Sequence, residues 1–300
     1  MKTKTYLFAL MAMAFTLGSC SDNENGIGGE TSKYITVSTS IGNMTRVGTD
    51  ANGGQTFEEG DEISVYAWTG DATVAPETRE RVVNNAINKL TNGSWVSTPQ
   101  MLWKNNRDKH YFIGVYPTAA ISDLSAGEYT FDVTKQVESD LLVAVNADGL
   151  SYNADEQQTV PLTFTHVMAK LVVNLTYKNQ WGGIPTVEKV VVGNAAKEAT
   201  INYLTKVVTP STTAKEDFSL PEITENTKYV SVIIPQEEVK QLTIVIGGKN
   251  FVYDNGTPFK LESGKITTVN LEVGRDEIKL GDVKITDWED GSTFSGEAIN

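Results

Sequence analysis

Histidine and cysteine are scarce in this chain of 300 residues, with two and one, so each can be judged separately. The two histidines, His110 and His166, stand far apart. Each lies in an alternating stretch, Lys109-His110-Tyr111-Phe112-Ile113-Gly114-Val115-Tyr116-Pro117 and Phe164-Thr165-His166-Val167-Met168-Ala169. Either could act as a general base toward a nearby hydroxyl. Neither is accompanied by a G-x-S-x-G or similar frame, so strand histidines with satisfied ring nitrogens are the better reading. Carboxylate doublets abound: Glu58-Glu59, Asp61-Glu62, Asp155-Glu156, Glu237-Glu238 and Asp276-Glu277. A glycosidase needs two carboxyls about 5–10 Å apart across a cleft. Neighbouring strand residues point to opposite faces, so these doublets read as solvated turns. Trp68, Trp95, Trp103, Trp181 and Trp288 could stack on sugar rings, or fill cores and flank hairpins. With one Cys and two His, no thiolate or multi-His metal site is expected. The net charge of −13 opposes nucleic-acid binding. No enzyme activity and no cofactor are expected.

The single cysteine has a specific setting. Met1-Lys2-Thr3-Lys4 is followed by an apolar run from Tyr6 to Leu17, then Gly18-Ser19-Cys20. A basic start, a short apolar stretch and small residues make a signal peptide over residues 1–19. The run is too short for a permanent membrane span, which takes about 20 apolar residues. Leu17-Gly18-Ser19-Cys20 resembles a bacterial lipobox, in which the cysteine becomes the new first residue and carries lipid. Cys20 is therefore the expected lipidation site, with the membrane as partner through that anchor. The polar, Gly-rich residues 20–33 read as a tether.

The elements that must position everything else are β-strands. Ile35, Val37 and Ile41 alternate with polar residues, as do Ile63, Val65 and Ala67. Leu162, Phe164 and His166 repeat the pattern, then Leu171, Val173 and Leu175, then Leu242, Ile244 and Ile246. Asn52-Gly53-Gly54, Asn92-Gly93, Gly182-Gly183, Gly247-Gly248-Lys249-Asn250 and Asp254-Asn255-Gly256 mark turns. Gly247-Gly248 sits between two strands, so it reads as a hairpin and not a phosphate loop. One short helix is expected over Glu77–Leu90, with Val83, Ile87 and Leu90 as its buried stripe. Many short strands with Gly turns point to an all-β chain of two sandwiches, divided as 34–160 and 161–277. Residues 278–300 follow as terminal strands.

Several stretches together resemble the fimbrillin family of Bacteroidales, the FimA/Mfa-like pilus subunits. They are Phe57-Glu58-Glu59-Gly60-Asp61-Glu62-Ile63-Ser64-Val65-Tyr66-Ala67-Trp68 after Met44-Thr45-Arg46; His110 to Pro117; and Gln136-Val137-Glu138-Ser139-Asp140-Leu141-Leu142-Val143-Ala144. The others are Val160 to Leu171, Val232-Ile233-Ile234-Pro235-Gln236, and Val283-Lys284-Ile285-Thr286-Asp287-Trp288. The resemblance implies two tandem transthyretin-like (Greek-key) β-sandwiches. It implies export as an outer-membrane lipoprotein precursor, then cutting by an Arg-specific protease and assembly with other pilus subunits into a cell-surface fimbrium for adhesion.

On that resemblance the cut falls between Arg46 and Val47. Segment 34–46, with Ile35, Val37 and Ile41 on one face, is the first strand that leaves. Arg79 and Arg81 offer other sites. An emptied edge is a template for another chain, refilled by strand addition, and head-to-tail repetition gives an open filament. Gly48, Asp50, Asn52, Gly53 and Gly54 make the polar segment proteases favour. Ile278, Leu280, Val283 and Ile285 form the candidate donor strand, with Gly281 breaking its register. The alternative is a monomeric surface lipoprotein that binds glycans through exposed aromatics.

Overall fold

The alternating stretches become strands in the computed structural model, which describes residues 33–42, 56–136, 139–153 and 158–288. Cys20, Arg46, Val47 and residues 289–300 lie outside the described residues. The first half supplies β1 (Thr36–Ile41), β2 (Glu62–Thr69), β3 (Arg81–Thr91), β4 (Ser94–Thr98), β5 (His110–Tyr116), β6 (Gly127–Thr130), β7 (Leu142–Leu150) and β8 (Thr159–His166). The second half supplies β9 (Ala169–Tyr177), β10 (Val187–Ala196), β11 (Glu198–Asn202), β12 (Val207–Pro210), β13 (Lys215–Ser219), β14 (Glu222–Thr224) and β15 (Lys228–Ile233). It ends with β16 (Gln236–Ile246), β17 (Lys249–Leu261), β18 (Lys265–Val273) and β19 (Ile278–Asp287). Two 3-10 turns, at Thr78–Glu80 and Asn179–Trp181, are the only helical elements among the described residues.

The first sheet has seven strands in the order β1-β8-β7-β5-β2-β3-β4. Every pairing in it is antiparallel except β1 with β8. The middle strands β2 and β5 are buried on both faces, whereas β1, β8 and β4 keep one face toward solvent. Ile63, Val65 and Ala67 of β2 join Phe112, Leu162 and Phe164 in one cluster. Tyr66 and Trp68, from the opposite face of β2, join a second cluster that reaches Ile201 of β11 and Tyr203 just beyond it. The sheet curls until its ends meet: Ile35 N donates to Met101 O at 3.0 Å, and Trp95 Nε1 donates to Thr39 Oγ1 at 3.0 Å. The first cluster is the core of that curl. Gly114 admits the curl's filling, because a Cβ there would stand 2.7 Å from Phe164 Cζ.

The second half builds a four-stranded sheet, β13-β10-β16-β17, and a five-stranded sheet, β14-β15-β9-β18-β19. Val190 and Leu242 of the former share one cluster with Leu171 and Val269 of the latter. A three-stranded sheet, β12-β11-β6, draws β6 from the first half. The expected division between 160 and 161 falls inside β8, whose backbone pairs with both β1 and β7. The chain passes from one sheet system to the other at Val167–Met168, and the second cluster is common to both halves.

The expected helix over Glu77–Leu90 is not formed. Its span is a 3-10 turn followed by β3. The cause is a β-bulge: Val65 pairs with Ala86 but Ala67 pairs with Val83, so β3 carries one extra residue. Asn85, at φ 56°, sits in that bulge. The shift of phase places buried Val83 and Ala86 three apart, which mimics a helical spacing. The hairpin turns behave as expected. Asn92-Gly93, with φ of 51° and 73°, joins β3 to β4, and Gly247-Gly248, at 59° and 71°, joins β16 to β17. Positive φ at both central residues gives the type I′ geometry that matches strand twist. Asp254-Asn255-Gly256 is not a turn but lies within β17, where the partner register jumps between Gln241–Asp254 and Val239–Phe259.

Candidate assembly site

β1 is an edge strand of the seven-stranded sheet. Its backbone is paired along one side only, in continuous register with β8 from Thr36–Thr159 to Ile41–Phe164. Gly42 N extends this pairing, donating to Phe164 O at 2.8 Å. On the other side, the described backbone contacts are confined to its start. They are the Ile35–Met101 bond, Trp103 N donating to Lys33 O at 3.2 Å, and a Tyr34–Leu102 bridge. Beyond that point a cleft of about 590 Å³ runs between β1 and β4, lined by Val37, Thr39, Ile41, Phe57, Leu90 and Trp95 among others.

The inward face of β1 carries Ile35, Val37, Thr39 and Ile41. The three aliphatic side chains are buried in the first cluster. Each removes an apolar side chain from water, worth roughly 1.5–3 kcal/mol. Thr39, which the sequence pattern passes over, is the one inward hydroxyl and accepts the Trp95 indole N–H. Outward, Thr36 meets Thr159 at 3.3 Å and Ser40 meets Thr163 at 3.2 Å, both exposed. The strand is thus amphipathic and held mainly by its apolar face.

The candidate donor, β19, is the edge of the five-stranded sheet and pairs along its length with β18. Leu271 pairs with Leu280 while Asn270 pairs with Asp282, so Gly281 is a one-residue bulge. The bulge puts Ile278, Leu280 and Val283 against the second cluster, while Ile285 is exposed.

Three of the stretches that carry the family resemblance converge at the end of this strand, which the sequence pattern does not reveal. Asp140 Oδ2 pairs with His166 Nδ1 at 2.8 Å. The His166 ring stacks on Trp288 with centroids 4.0 Å apart and planes 4° from parallel. Lys170 Nζ stands 5.4 Å from the same indole's centroid. Trp288 N also donates to Gly264 O at 3.1 Å, and Gly264 N to Met168 O at 2.9 Å. Buried Trp288 therefore clasps the end of β19 to the crossover between β8 and β9.

The other residues considered for chemistry have structural partners. His110 is buried, with Lys104 N donating to its Nε2 at 3.0 Å and its Nδ1 at 3.1 Å from Asp108 O. These contacts define a neutral ring protonated at Nδ1. Burial holds its pKa below the ordinary imidazole value, against the opposing pull of the Asp108 carbonyl. The unfolded chain, with an imidazole near about 6.5, then binds a proton more readily than the native one. Stability is full above that value and falls as pH drops through it. Denaturant unfolding at pH 7.5 and pH 5 should show a larger loss for the wild type than for His110→Phe. Equal losses would remove the assignment.

Glu59 accepts from Asn92 N at 2.7 Å, and Asp61 from Glu58 N at 2.7 Å, so these carboxylates order turns. Trp68, Trp103 and Trp288 are buried, and Trp95 and Trp181 are half-buried. Among the described residues, no group of three His, Cys, Asp or Glu side chains could hold a metal ion. Arg81 is buried, bonded to the Ile121 and Ser122 carbonyls at 2.6 and 2.7 Å. Arg79 is exposed beside Glu77 at 2.9 Å, within the 3-10 turn. Among the described residues no helix is long and apolar enough to cross a membrane.

Comparison with known proteins gives this geometry a context. A candidate cell adhesion protein from Bacteroides uniformis superposes with a TM-score of 0.64 at 19% identity, covering 86% of this chain and 100% of that one. Another, from Bacteroides ovatus, gives 0.64 at 18% identity over 86% and 98%. A fimbrial protein from Bacteroides vulgatus gives 0.51 at 12% identity over 85% and 99%. At these identities the likeness is one of fold. No curated protein shows a match to the chain. The model of the family described as fimbrillin-like matches residues 45–288. Since that match takes in nearly everything after β1, the chain belongs to the fimbrillin-like family.

Proposed function

We propose that this chain is a structural subunit of a cell-surface pilus, serving adhesion and not catalysis. It is exported as a lipoprotein on Cys20, trimmed between Arg46 and Val47 by an Arg-specific protease, and polymerised by donor-strand exchange. The two sheet systems are read as tandem transthyretin-like sandwiches, with β1 as the removable strand of the first. The donor is read as the C-terminal segment 278–300 of a neighbouring subunit.

The observation that carries this reading is the attachment of β1. It is paired along one edge, runs parallel to β8, and buries three aliphatic side chains in a core that the rest of the sheet already shapes. The family match opens at residue 45, so β1 lies ahead of it. Losing such a strand uncovers an apolar furrow and the unpaired backbone of β8, the combination that strand addition satisfies. Trimming after Arg46 leaves a net charge of −14, which favours solubility of a subunit whose furrow is open. Arg81 is buried in the folded chain, which leaves exposed Arg79 as the competitor to Arg46 in that segment.

Arg46→Ala tests the processing step. With an Arg-specific protease, the wild-type precursor should lose its first 46 residues and form high-mass polymer on a sizing column. The variant should stay full-length and monomeric. Polymer of unchanged amount and unchanged start residue from the variant would place the cut elsewhere.

A further inference from the structure

The furrow that holds β1 is apolar at three of its four inward positions and polar at one. Ile35, Val37 and Ile41 enter the first cluster, whereas Thr39 accepts a hydrogen bond from Trp95 Nε1 at 3.0 Å. Trp95 is fixed in place: it pairs with Leu90 across the β3–β4 hairpin, and Phe57 packs edge-on against it at 5.3 Å. Phe57 in turn packs edge-on on Phe164 of β8 at 5.2 Å. None of these supports comes from β1. A strand that enters with an aliphatic side chain there leaves this donor without its acceptor, which costs binding energy in a half-closed cleft.

The candidate donor can be tested against that pattern. β1 is free of bulges from Thr36 to Ile41, so a strand taking its place in the same direction has to be straight there. With the Gly281 bulge removed, Ile278, Leu280, Asp282 and Lys284 share one face. Set against Ile35, Val37, Thr39 and Ile41, they place two aliphatic side chains first and a carboxylate opposite Trp95. Lys284 comes last, in the place of buried Ile41 beside the cleft, where its long stem covers apolar surface and carries the ammonium toward the cleft's water. In its own sheet Asp282 is exposed and accepts from Asn270 Nδ2 at 2.6 Å, a solvent-facing contact that leaving the sheet gives up cheaply.

We infer that Trp95 selects the incoming strand by its third inward residue, and that residues 278–284 of a second copy meet it with Asp282. This rests on the strand-exchange reading above and specifies its register. Glycine 281 then has two states, bulged in the free subunit and extended in the filament, which a residue without Cβ allows at least cost.

The test uses the full-length chain with a site-specific protease sequence inserted between Arg46 and Val47, cut once so that β1 stays bound without a covalent link. Labelled peptides compete for its place: residues 276–287, the same with Asp282→Ala, residues 33–42, and the same with Thr39→Val. The acceptor-bearing peptides should bind about tenfold tighter than their partners lacking the acceptor. With Trp95→Phe the ratio should fall to near one. As a readout that needs no protein variant, the Trp95 indole N–H resonance should shift with the Asp282 peptide and not with its alanine form. Displacement of β1 by every peptide with no preference for the acceptor overturns this inference alone. A preference that survives Trp95→Phe undiminished also overturns it. Failure of every peptide to displace β1 overturns strand exchange itself, and the inference with it.

Discussion

Cutting the backbone between Arg46 and Val47 and stripping β1 from the body is expected to lower the unfolding free energy by roughly 4–9 kcal/mol. Three buried side chains set the figure: Ile35, Val37 and Ile41 leave an apolar cluster for water. Their loss also strips pairing partners from β8, from Thr159 to Phe164, and that edge is then a second liability. Native domains hold only about 5–15 kcal/mol in total, so the emptied subunit has little left and is driven to refill. Guanidinium denaturation of the cut protein should show an early midpoint, restored by excess peptide of residues 33–42. Removal of the outward Ser38 or Ser40 side chains by alanine should do almost nothing, because both are exposed. A cut and stripped protein as stable as the intact one would mean that β1 is not part of the core.

Trp288→Ala is expected to cost about 3–5 kcal/mol, the range for removing a buried aromatic side chain. Its indole touches both the His166 ring and the Lys170 ammonium, and no small residue can hold both. The loss is local to the end of β19, so amide exchange there should quicken more than in β9 or β16. Trp288→Phe keeps a ring for His166 and should lose less. If β19 is the donor, loosening it should also speed polymer growth after trimming even as the subunit becomes less stable. Unchanged exchange along β19 in Trp288→Ala would show that pairing with β18 alone holds the strand.

What could be read from the sequence was local. The alternation of Ile35, Val37 and Ile41, the strand built on Ile63, Val65 and Ala67, and the turns at Asn92-Gly93 and Gly247-Gly248 all follow from periods and φ preferences within a few residues. β3 was not legible, because its bulge at Asn85 converts a period of two into an apparent period of three. Thr39 was passed over for a related reason. A hydroxyl on an apolar face looks like a gap until Trp95, distant in sequence, arrives to bond it. The clasp at Trp288 draws on Asp140, His166 and Lys170 from separate stretches, and no spacing rule links them. The parallel pairing of β1 with β8 joins residues whose separation exceeds a hundred positions, and only the closed sheet brings them together.

The central claim is that β1 is absent from the assembled subunit. The first residue of the chain recovered from washed surface filaments, read by mass spectrometry of its N-terminal peptide, tests it most directly. The expected first residue is Val47, with no peptide from residues 33–42 in the filament. Filaments whose subunits begin at Cys20 and still contain Ile35, Val37 and Ile41 would contradict it.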